Sequence, residues 1–167
     1  MDILEKTEKK VFFLAKFKQG RQSFRHDQPP VITHWASVAG KKELEGPLAH
    51  TFDVTSQDTY FGQTTWEQAE KHMQQLALET LAKKAGIQKT QFELVFSGDL
   101  LNQCIGSSFG MRDLKLNFAG LYGACSTMAL SLALSATLVD SGAVKNVVAA
   151  TSSHFCSAER QYRMPLE

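Results

Sequence analysis

Residues 116–140 read LNFAGLYGACSTMALSLALSATLVD, and this stretch decides whether the chain is interpreted as a membrane protein or as a packed α/β domain. No charged side chain occurs from Leu116 to Val139, and the run reaches the roughly 20 residues that span a bilayer. Asparagine, glycine, serine and threonine dilute its hydrophobicity, however, and the turn-like Gly123-Ala124-Cys125 divides it. The pattern favours a buried strand at Leu116–Tyr122 followed by a buried helix at Cys125–Asp140 over a transmembrane helix.

The flanking sequence repeats this alternation of strands and helices. Short apolar runs typical of strands occur at Phe92–Phe96, which Ser97-Gly98 closes, and at Val144–Thr151. A weaker helix is predicted for Gln103–Asp113 and a short strand for Val31–Thr33. Continuous apolar strands separated by helices are typical of a mainly parallel sheet covered by helices on both faces. The sequence therefore predicts an α/β fold.

The clearest helix is predicted between Thr65 and Gly86. Thr64 or Thr65 caps its start, and Gly86 ends it. The apolar face, at three- and four-residue steps, comprises Trp66, Ala69, Met73, Leu76, Ala77, Leu81 and Ala85. The polar side chains expected to face water are Glu67, Lys71, Gln74, Gln75 and Lys83.

Composition narrows the class of protein. The 167 residues contain 18 Lys+Arg and 17 Asp+Glu, for a net charge of +1, so charge gives no argument for binding nucleic acid. Hydrophobic residues make up 43%, which excludes a disordered chain. The three cysteines cannot all pair within the chain. Without a recognisable signal peptide, they are expected to be reduced thiols in a cytoplasmic protein.

Residues 1–25 differ from the rest, because lysine and arginine alternate there with four phenylalanines. We interpret them as a basic, Phe-rich extension in front of a domain that covers residues 26–167. The extension is either a poorly ordered or locally helical terminus, or an arm that touches a membrane surface or a partner.

The principal candidate for chemistry is Cys125. Gly120 and Gly123 place a tight turn between the predicted strand and helix, so the cysteine falls in the first helical turn. Helix N-terminal N–H groups and the positive end of the helix dipole favour a thiolate there. Small neighbours, including Ser126, leave room for a ligand beside the sulfur. The alternative is a compact residue packed at a tight corner.

Other candidates follow the ends of the predicted strands, where open parallel sheets place ligand sites. They are His154 after the last strand, and Asp99 and Asn102 after the FELVF strand. Asp99 and Asn102 can equally cap the following helix. Arg160 and Arg163 suit a ligand with carboxylates, or form a solvated charged end. No zinc spacing and no phosphate-binding glycine loop occurs, so neither a metal nor a cofactor is expected.

Several motifs, in order along the chain, resemble one known family. They are GPLAHTFD at 46–53, Trp66-Glu67 at the helix start, SGDLLNQ at 97–103, YGACST at 122–127, AATSSH at 149–154 and SAERQYRMP at 157–165. From about Gln22 to its last residue, the sequence resembles the stage V sporulation protein AD family.

This resemblance implies a function in spore formation. Members are similar in fold to thiolases and ketoacyl synthases, with two related α/β halves, and usually form dimers. The resemblance implies that the protein binds dipicolinic acid (pyridine-2,6-dicarboxylate) for its uptake into the developing spore. It also implies partner proteins of the same operon, and a peripheral position at the forespore inner membrane. Cys125 would correspond to the thiolase-type cysteine, so the alternative is an acyltransferase that uses Cys125.

The sequence also departs from this family. Members are about twice this long, so we expect the chain to be the N-terminal half of a two-half fold. The companions of a thiolase-type cysteine would come from the other half, so an acyl-transfer site would be incomplete here. One half alone would expose the apolar face that the other covers. We therefore expect association or poor solubility.

Overall fold

The computed structural model describes residues 18–26 and 28–159. The extension predicted at residues 1–25 therefore lies largely outside the described residues, apart from a small antiparallel pair near its end. The described strands are β1 (Lys18–Gln19), β2 (Ser23–Phe24), β3 (Val38–Ala39), β4 (Val54–Thr55), β5 (Leu94–Gly98), β6 (Phe118–Gly120) and β7 (Val147–Thr151). The described α-helices are α1 (Lys41–Leu44), α2 (Trp66–Ala85), α3 (Ile105–Leu114) and α4 (Thr127–Asp140).

A parallel sheet in the order β6-β5-β7 organises the described part of the chain. Val95, in the central strand, lies opposite Phe118 on one side and Val148 on the other. The predicted α/β class with a parallel sheet is confirmed. The prediction that Ser97-Gly98 closes the strand is wrong, because both residues continue the ladder to β7. Their small side chains fit this position because helices approach it from both faces.

Helices cover both faces of this sheet, as predicted. Ser97 in β5 donates a hydrogen bond to Gln74 in α2, with 3.1 Å between the two oxygens. The next residue, Gly98, faces the opposite side, where Thr127 begins α4. Side chains alternate between the faces of a strand. Consequently α2 and α3, which pack on each other, cover one face, and α4 covers the other.

The apolar core lies between the sheet and the α2–α3 layer. Its buried members are Leu78, Ala82, Phe92, Val95, Met111 and Val148. Partly buried neighbours, including Leu114 and Phe118, extend the cluster to β6. Burial of this kind is the main favourable contribution to folding, at about 25 cal/mol per Å² of apolar surface.

Helix α2 has the predicted ends but a different buried face. Thr65 accepts a hydrogen bond from the Gln68 N–H at 3.2 Å, and Gly86 ends the helix with φ of 67°. The prediction that Gln74 faces water is wrong. Glu70 and Gln74 are buried on the same stripe as Leu78 and Ala82, because polar groups at the strand ends bind them.

The prediction of a short strand at Val31–Thr33 is also wrong. These residues have no regular structure, and Val31 and Ile32 are exposed. The strand forms a few residues later, at β3, where it pairs in parallel with β4. Asp53 supports this pairing by accepting hydrogen bonds from the N–H of Ser37, at 2.9 Å, and from Lys84.

Helix α4 is buried on one side only, in contrast to the fully buried helix that the sequence predicts. Thr127 and Ser131 are buried, but Met128, Leu130 and Leu132 each expose about two fifths of their surface, at 41%, 40% and 40%. Among the described residues, no helix is both long enough and apolar enough to cross a bilayer. The strand-and-helix interpretation of residues 116–140 therefore holds, with the helix beginning at Thr127 instead of Cys125.

We expect this open face of α4 to make the chain associate. Exposed contiguous apolar surface drives contact between copies. Light scattering during size-exclusion chromatography should show more than one chain per particle. The double substitution Leu130→Gln with Leu132→Gln should shift the particle toward the mass of a single chain.

The matched control for this prediction is Leu48→Gln. Leu48 is also exposed, at 59%, but it lies outside α4. This substitution should leave the association unchanged. A monodisperse single chain before any substitution would contradict the prediction.

Candidate functional site

The turn that carries Cys125 connects β6 to α4. The Leu121 N–H donates to the Ser97 carbonyl at 2.8 Å, which extends the contact with β5 beyond the last residue of β6. A short 3-10 turn, Ala124–Ser126, follows, and both Cys125 and Ser126 are exposed. Cys125 therefore lies between the strand and the helix, as predicted, but two residues before the start of α4 and not in its first turn.

The N-terminus of α4 has no side-chain cap. The Ser126 hydroxyl donates to the Gly123 carbonyl at 2.6 Å instead of accepting from a helical N–H. Thr127 accepts from the Gly123 N–H, at 3.3 Å, and so stabilises the turn that precedes the helix. The positive end of the helix dipole is thus not neutralised by a capping side chain.

Ala124, next to Cys125, has φ of 47°, which falls in the left-handed region that favours glycine. Such strain costs about 1–3 kcal/mol and persists only where the surrounding structure fixes it. Here Ser126 and Thr127 both bond to Gly123 on the other side of the strained residue. The turn therefore holds the cysteine in a defined position.

Cys104 stabilises this turn through a hydrogen bond, a role that the sequence did not suggest. It is buried, and its thiol donates to the Leu121 carbonyl with 3.1 Å between sulfur and oxygen. Burial raises the pKa of the Cys104 thiol, and the negative charge of Asp99 adds to the increase. Cys104 is therefore held as a neutral thiol, whereas Cys125 is the exposed one.

Asp99 caps the helix that follows it, which is one of the two roles that the sequence allowed. Its carboxylate accepts hydrogen bonds from the Leu101 N–H at 2.9 Å, the Ser107 N–H at 2.7 Å and the Ser107 hydroxyl at 2.6 Å. Asp99 is only 1% exposed, so its carboxylate is buried and bonded within the protein. Asn102 lies nearby in an exposed turn.

His154 is buried just after β7, and both of its ring nitrogens are bonded within the chain. Nε2 lies 2.7 Å from the Thr59 carbonyl, and Nδ1 accepts from the Cys156 N–H at 3.2 Å. Only the neutral ring with its proton on Nε2 satisfies both partners. His154 therefore fastens the 59–62 turn to the end of β7, and neither nitrogen points at Cys125.

A buried polar cluster links α2 to the ends of β5 and β7. Gln74 donates to the Ser107 hydroxyl at 2.8 Å and to the Ser152 hydroxyl at 2.7 Å. Glu70 bonds to the Ser152 hydroxyl at 2.9 Å and to the Ser157 hydroxyl at 2.5 Å. The sequence signal for this cluster was the four-residue spacing of positions 70, 74, 78 and 82, which places them on one stripe of the helix.

A cavity of about 270 Å³ lies on the α2 side of the sheet. It lies between α2, β3 and the end of β7, and Cys125 does not line it. Its lining residues are uncharged: Ala36, Ser37, Val38, Met73, Gln74, Ala77, Ala150, Thr151, Ser152 and Ser153. A cavity without a cationic wall is poorly suited to an anionic ligand.

The two arginine candidates, Arg160 and Arg163, lie outside the described residues. Within residues 18–26 and 28–159, no cluster of three histidine, cysteine or carboxylate side chains could hold a metal ion. The geometry therefore brings Cys125 and Ser126 together at the open end of α4. The side chains of Asp99 and His154 form hydrogen bonds within the protein, and Asn102 lies in the turn before α3.

Comparison with known proteins places the chain in a family. The model of the family described as Stage V sporulation protein AD matches residues 20–167. Stage V sporulation protein AD of Bacillus subtilis (strain 168) is 38% identical over 148 residues, which are 89% of this chain and 44% of that protein. The chain thus spans less than half the length of this relative. On the basis of both matches, the chain belongs to the stage V sporulation protein AD family.

Proposed function

We propose that this sporulation-family chain forms part of a binding site for dipicolinic acid, for uptake of that compound into the developing spore. The observation that supports the proposal best is the exposed, uncapped N-terminus of α4 beside Cys125 and Ser126. Helix N-termini of this kind bind anions through their N–H groups and dipole. Dipicolinate is a flat dianion whose two carboxylates need such donors.

The electrostatic surroundings of the turn are compatible with a dianion. No acidic side chain occurs between Leu116 and Val139, so no carboxylate from this stretch would repel the ligand. The exposed side chain of Tyr122 lies in the same turn and could contribute an aromatic surface. Arg160 and Arg163 are proposed as the carboxylate partners. The uncharged 270 Å³ cavity beside α2 is not part of the proposed site.

Acyl transfer through Cys125 is the second candidate, and the exposed thiol at a helix N-terminus favours it. A nucleophilic cysteine needs a base, however, and both ring nitrogens of His154 are already bonded, to the Thr59 carbonyl and the Cys156 N–H. In this proposal the base would come from outside the described residues. Mass spectrometry after incubation with an acyl-coenzyme A distinguishes the two candidates, because only acyl transfer leaves an adduct on Cys125.

The wider setting is part of the same proposal. A thiolase-like assembly of two related halves would place a second α/β half against the open face of α4. We further propose a homodimer of the whole protein, which acts with other stage V sporulation proteins of its operon. It would lie on the cytoplasmic surface of the forespore inner membrane, as a peripheral protein.

Dipicolinate binding should be sensitive to charge at position 125. We expect Cys125→Asp to weaken binding by about tenfold or more, because the new carboxylate repels the dianion at the helix N-terminus. Cys125→Ala should retain part of the affinity, since it keeps the N–H donors. Isothermal titration calorimetry with dipicolinate measures both variants in this chain, and the unsubstituted full-length relative is titrated in parallel.

The charge-matched control is Thr90→Asp, an exposed position in the turn before β5. It adds the same charge away from α4 and should leave the affinity unchanged. Equal dipicolinate affinities for the unsubstituted protein and Cys125→Asp would overturn the placement of the site. A lack of dipicolinate binding in the full-length relative would reject the proposed function itself.

A further inference from the structure

Glu70 is a fully buried carboxyl group that nothing in the proposed function uses. It lies in the middle of α2 with 0% of its surface exposed. Its two oxygens contact two serines of the segment that follows β7. Oε1 is 2.9 Å from the Ser152 hydroxyl and Oε2 is 2.5 Å from the Ser157 hydroxyl. This pair of contacts joins α2 to the chain that leads toward Arg160.

The two contacts of the Ser157 hydroxyl favour a protonated Glu70. The Ser157 hydroxyl carries one proton but lies within bonding distance of two acceptors, Glu70 Oε2 and the His154 carbonyl at 3.1 Å. If Oε2 carries a proton, it donates to Ser157, and Ser157 then donates to the His154 carbonyl. In this arrangement both contacts of the Ser157 hydroxyl are hydrogen bonds.

The Ser152 side of the carboxyl group is consistent with the same arrangement. Gln74 donates to the Ser152 hydroxyl at 2.7 Å, so the single proton of Ser152 is left for Oε1 of Glu70. Oε1 thus acts as the carbonyl oxygen of the acid, and Oε2 as its O–H. Each hydroxyl in the chain from Gln74 to the His154 carbonyl then donates once and accepts once.

No positive charge compensates Glu70 among residues 18–26 and 28–159, where Lys71, its neighbour on α2, pairs with Asp113. The titratable residues that act on it are Asp99, from the end of β5, through its charge, and His154, after β7, through its backbone N–H. Burial raises the pKa of Glu70, and the negative charge of Asp99 acts in the same direction, while hydrogen bonds from Ser157, Ser152 and the His154 backbone N–H oppose them. An uncompensated buried charge is strongly unfavourable.

We propose that Glu70 is a neutral carboxylic acid in the folded chain, and that its proton fastens residues 152–158 to α2. Loss of the proton places a charge in the interior and turns the single proton of Ser157 from the His154 carbonyl to Glu70. The segment after β7 is then held less firmly. Glu70 is therefore a positioning residue for this segment, whichever ligand the protein binds.

The direction of the pH dependence follows from this proton. The folded chain binds the Glu70 proton more tightly than the unfolded chain, in which the ordinary value of 4.5 applies. The stabilisation of the folded chain by this proton is complete below pH 4.5, and it is lost as the pH rises toward the higher pKa of Glu70 in the folded state. Within this window the unfolding equilibrium constant should rise by up to about tenfold per pH unit.

Glu70→Gln tests the proposal, because the amide reproduces the neutral acid with one donor and one acceptor. Unfolding by urea is measured for both chains at several pH values from about 4.5 upward. We expect the unfolding constant of the unsubstituted chain to rise relative to that of Glu70→Gln as the pH increases. The control is Glu79→Gln, at an exposed position on the same helix. The pH dependence of its unfolding constant should be parallel to that of the unsubstituted chain.

Two further measurements keep the test independent of overall stability. Infrared difference spectra between the unsubstituted chain and Glu70→Gln should contain the carbonyl band of a protonated acid about one pH unit above 4.5. Amide exchange at Ser157 and Ala158, which bond to the His154 carbonyl, should accelerate with pH beyond the intrinsic rate only when Glu70 is present. The proposal would be overturned if the unsubstituted chain and Glu70→Gln had parallel stability profiles. It would also be overturned if the infrared spectra contained the band of an ionised carboxylate instead of that of the protonated acid.

Discussion

Gly98→Ala is expected to destabilise the chain by about 3 kcal/mol or more, the upper range for overpacking a core. A Cβ atom at this position would lie 1.9 Å from the Leu121 carbonyl oxygen and 2.8 Å from the Thr127 methyl group. The first contact involves the backbone, which cannot move aside as a flexible side chain can. Relief would require β5 to separate from the turn that carries Cys125, so the midpoint of urea unfolding should fall sharply.

The matched control for this prediction is Gly40→Ala. Gly40 has φ of −87°, which alanine adopts readily, and a Cβ atom added there would meet nothing within 4 Å. Its unfolding midpoint should remain close to that of the unsubstituted chain. If Gly98→Ala and Gly40→Ala unfold at the same urea concentration, the close packing of β5 on the turn is refuted.

Asp99→Ala is expected to have the second largest effect, a loss of about 3 kcal/mol in the free energy of unfolding. The substitution leaves the N–H groups of Leu101 and Ser107 and the Ser107 hydroxyl without their acceptor. These groups are buried at the start of α3, where water cannot replace the carboxylate. Urea unfolding followed by circular dichroism measures the loss.

Two substitutions calibrate this result. Asp99→Asn keeps one acceptor oxygen but turns an amide toward the remaining donors, so its loss should be intermediate. Asp113→Ala removes an exposed carboxylate that pairs with Lys71 and Arg112, and such pairs contribute about 0–1 kcal/mol. An Asp99→Ala chain as stable as Asp113→Ala would show that the cap contributes little.

Much of the fold could be predicted because its signals are local. The apolar runs at β5 and β7 and the caps Thr65 and Gly86 depend on neighbours only a few residues away. The position of Cys125 followed from the same kind of signal, a tight glycine turn between a strand and a helix. Strand ends were less predictable, because Ser97 and Gly98 stay in the ladder for reasons that involve helices on both faces.

The roles of the polar residues depend on partners distant in sequence. His154 bonds to the Thr59 carbonyl, 95 residues away, and Glu70 bonds to Ser157, 87 residues away. No periodicity in the sequence encodes these pairs. Gln74 was assigned to the water-facing side because glutamine usually lies there, and its burial depends on hydroxyls from β5, α3 and the end of β7.

The Ser97-Gly98 pair has a consequence for how the chain avoids misfolding. If β5 slipped by one position against its neighbours, every side chain would exchange faces. A slip that moves the serine to the position of Gly98 would force it against the Leu121 carbonyl, where even a methyl group does not fit. A slip in the opposite direction would place the glycine, which has no hydroxyl to offer, against Gln74. The two adjacent residues thus penalise a slip in either direction, each on a different face of the sheet.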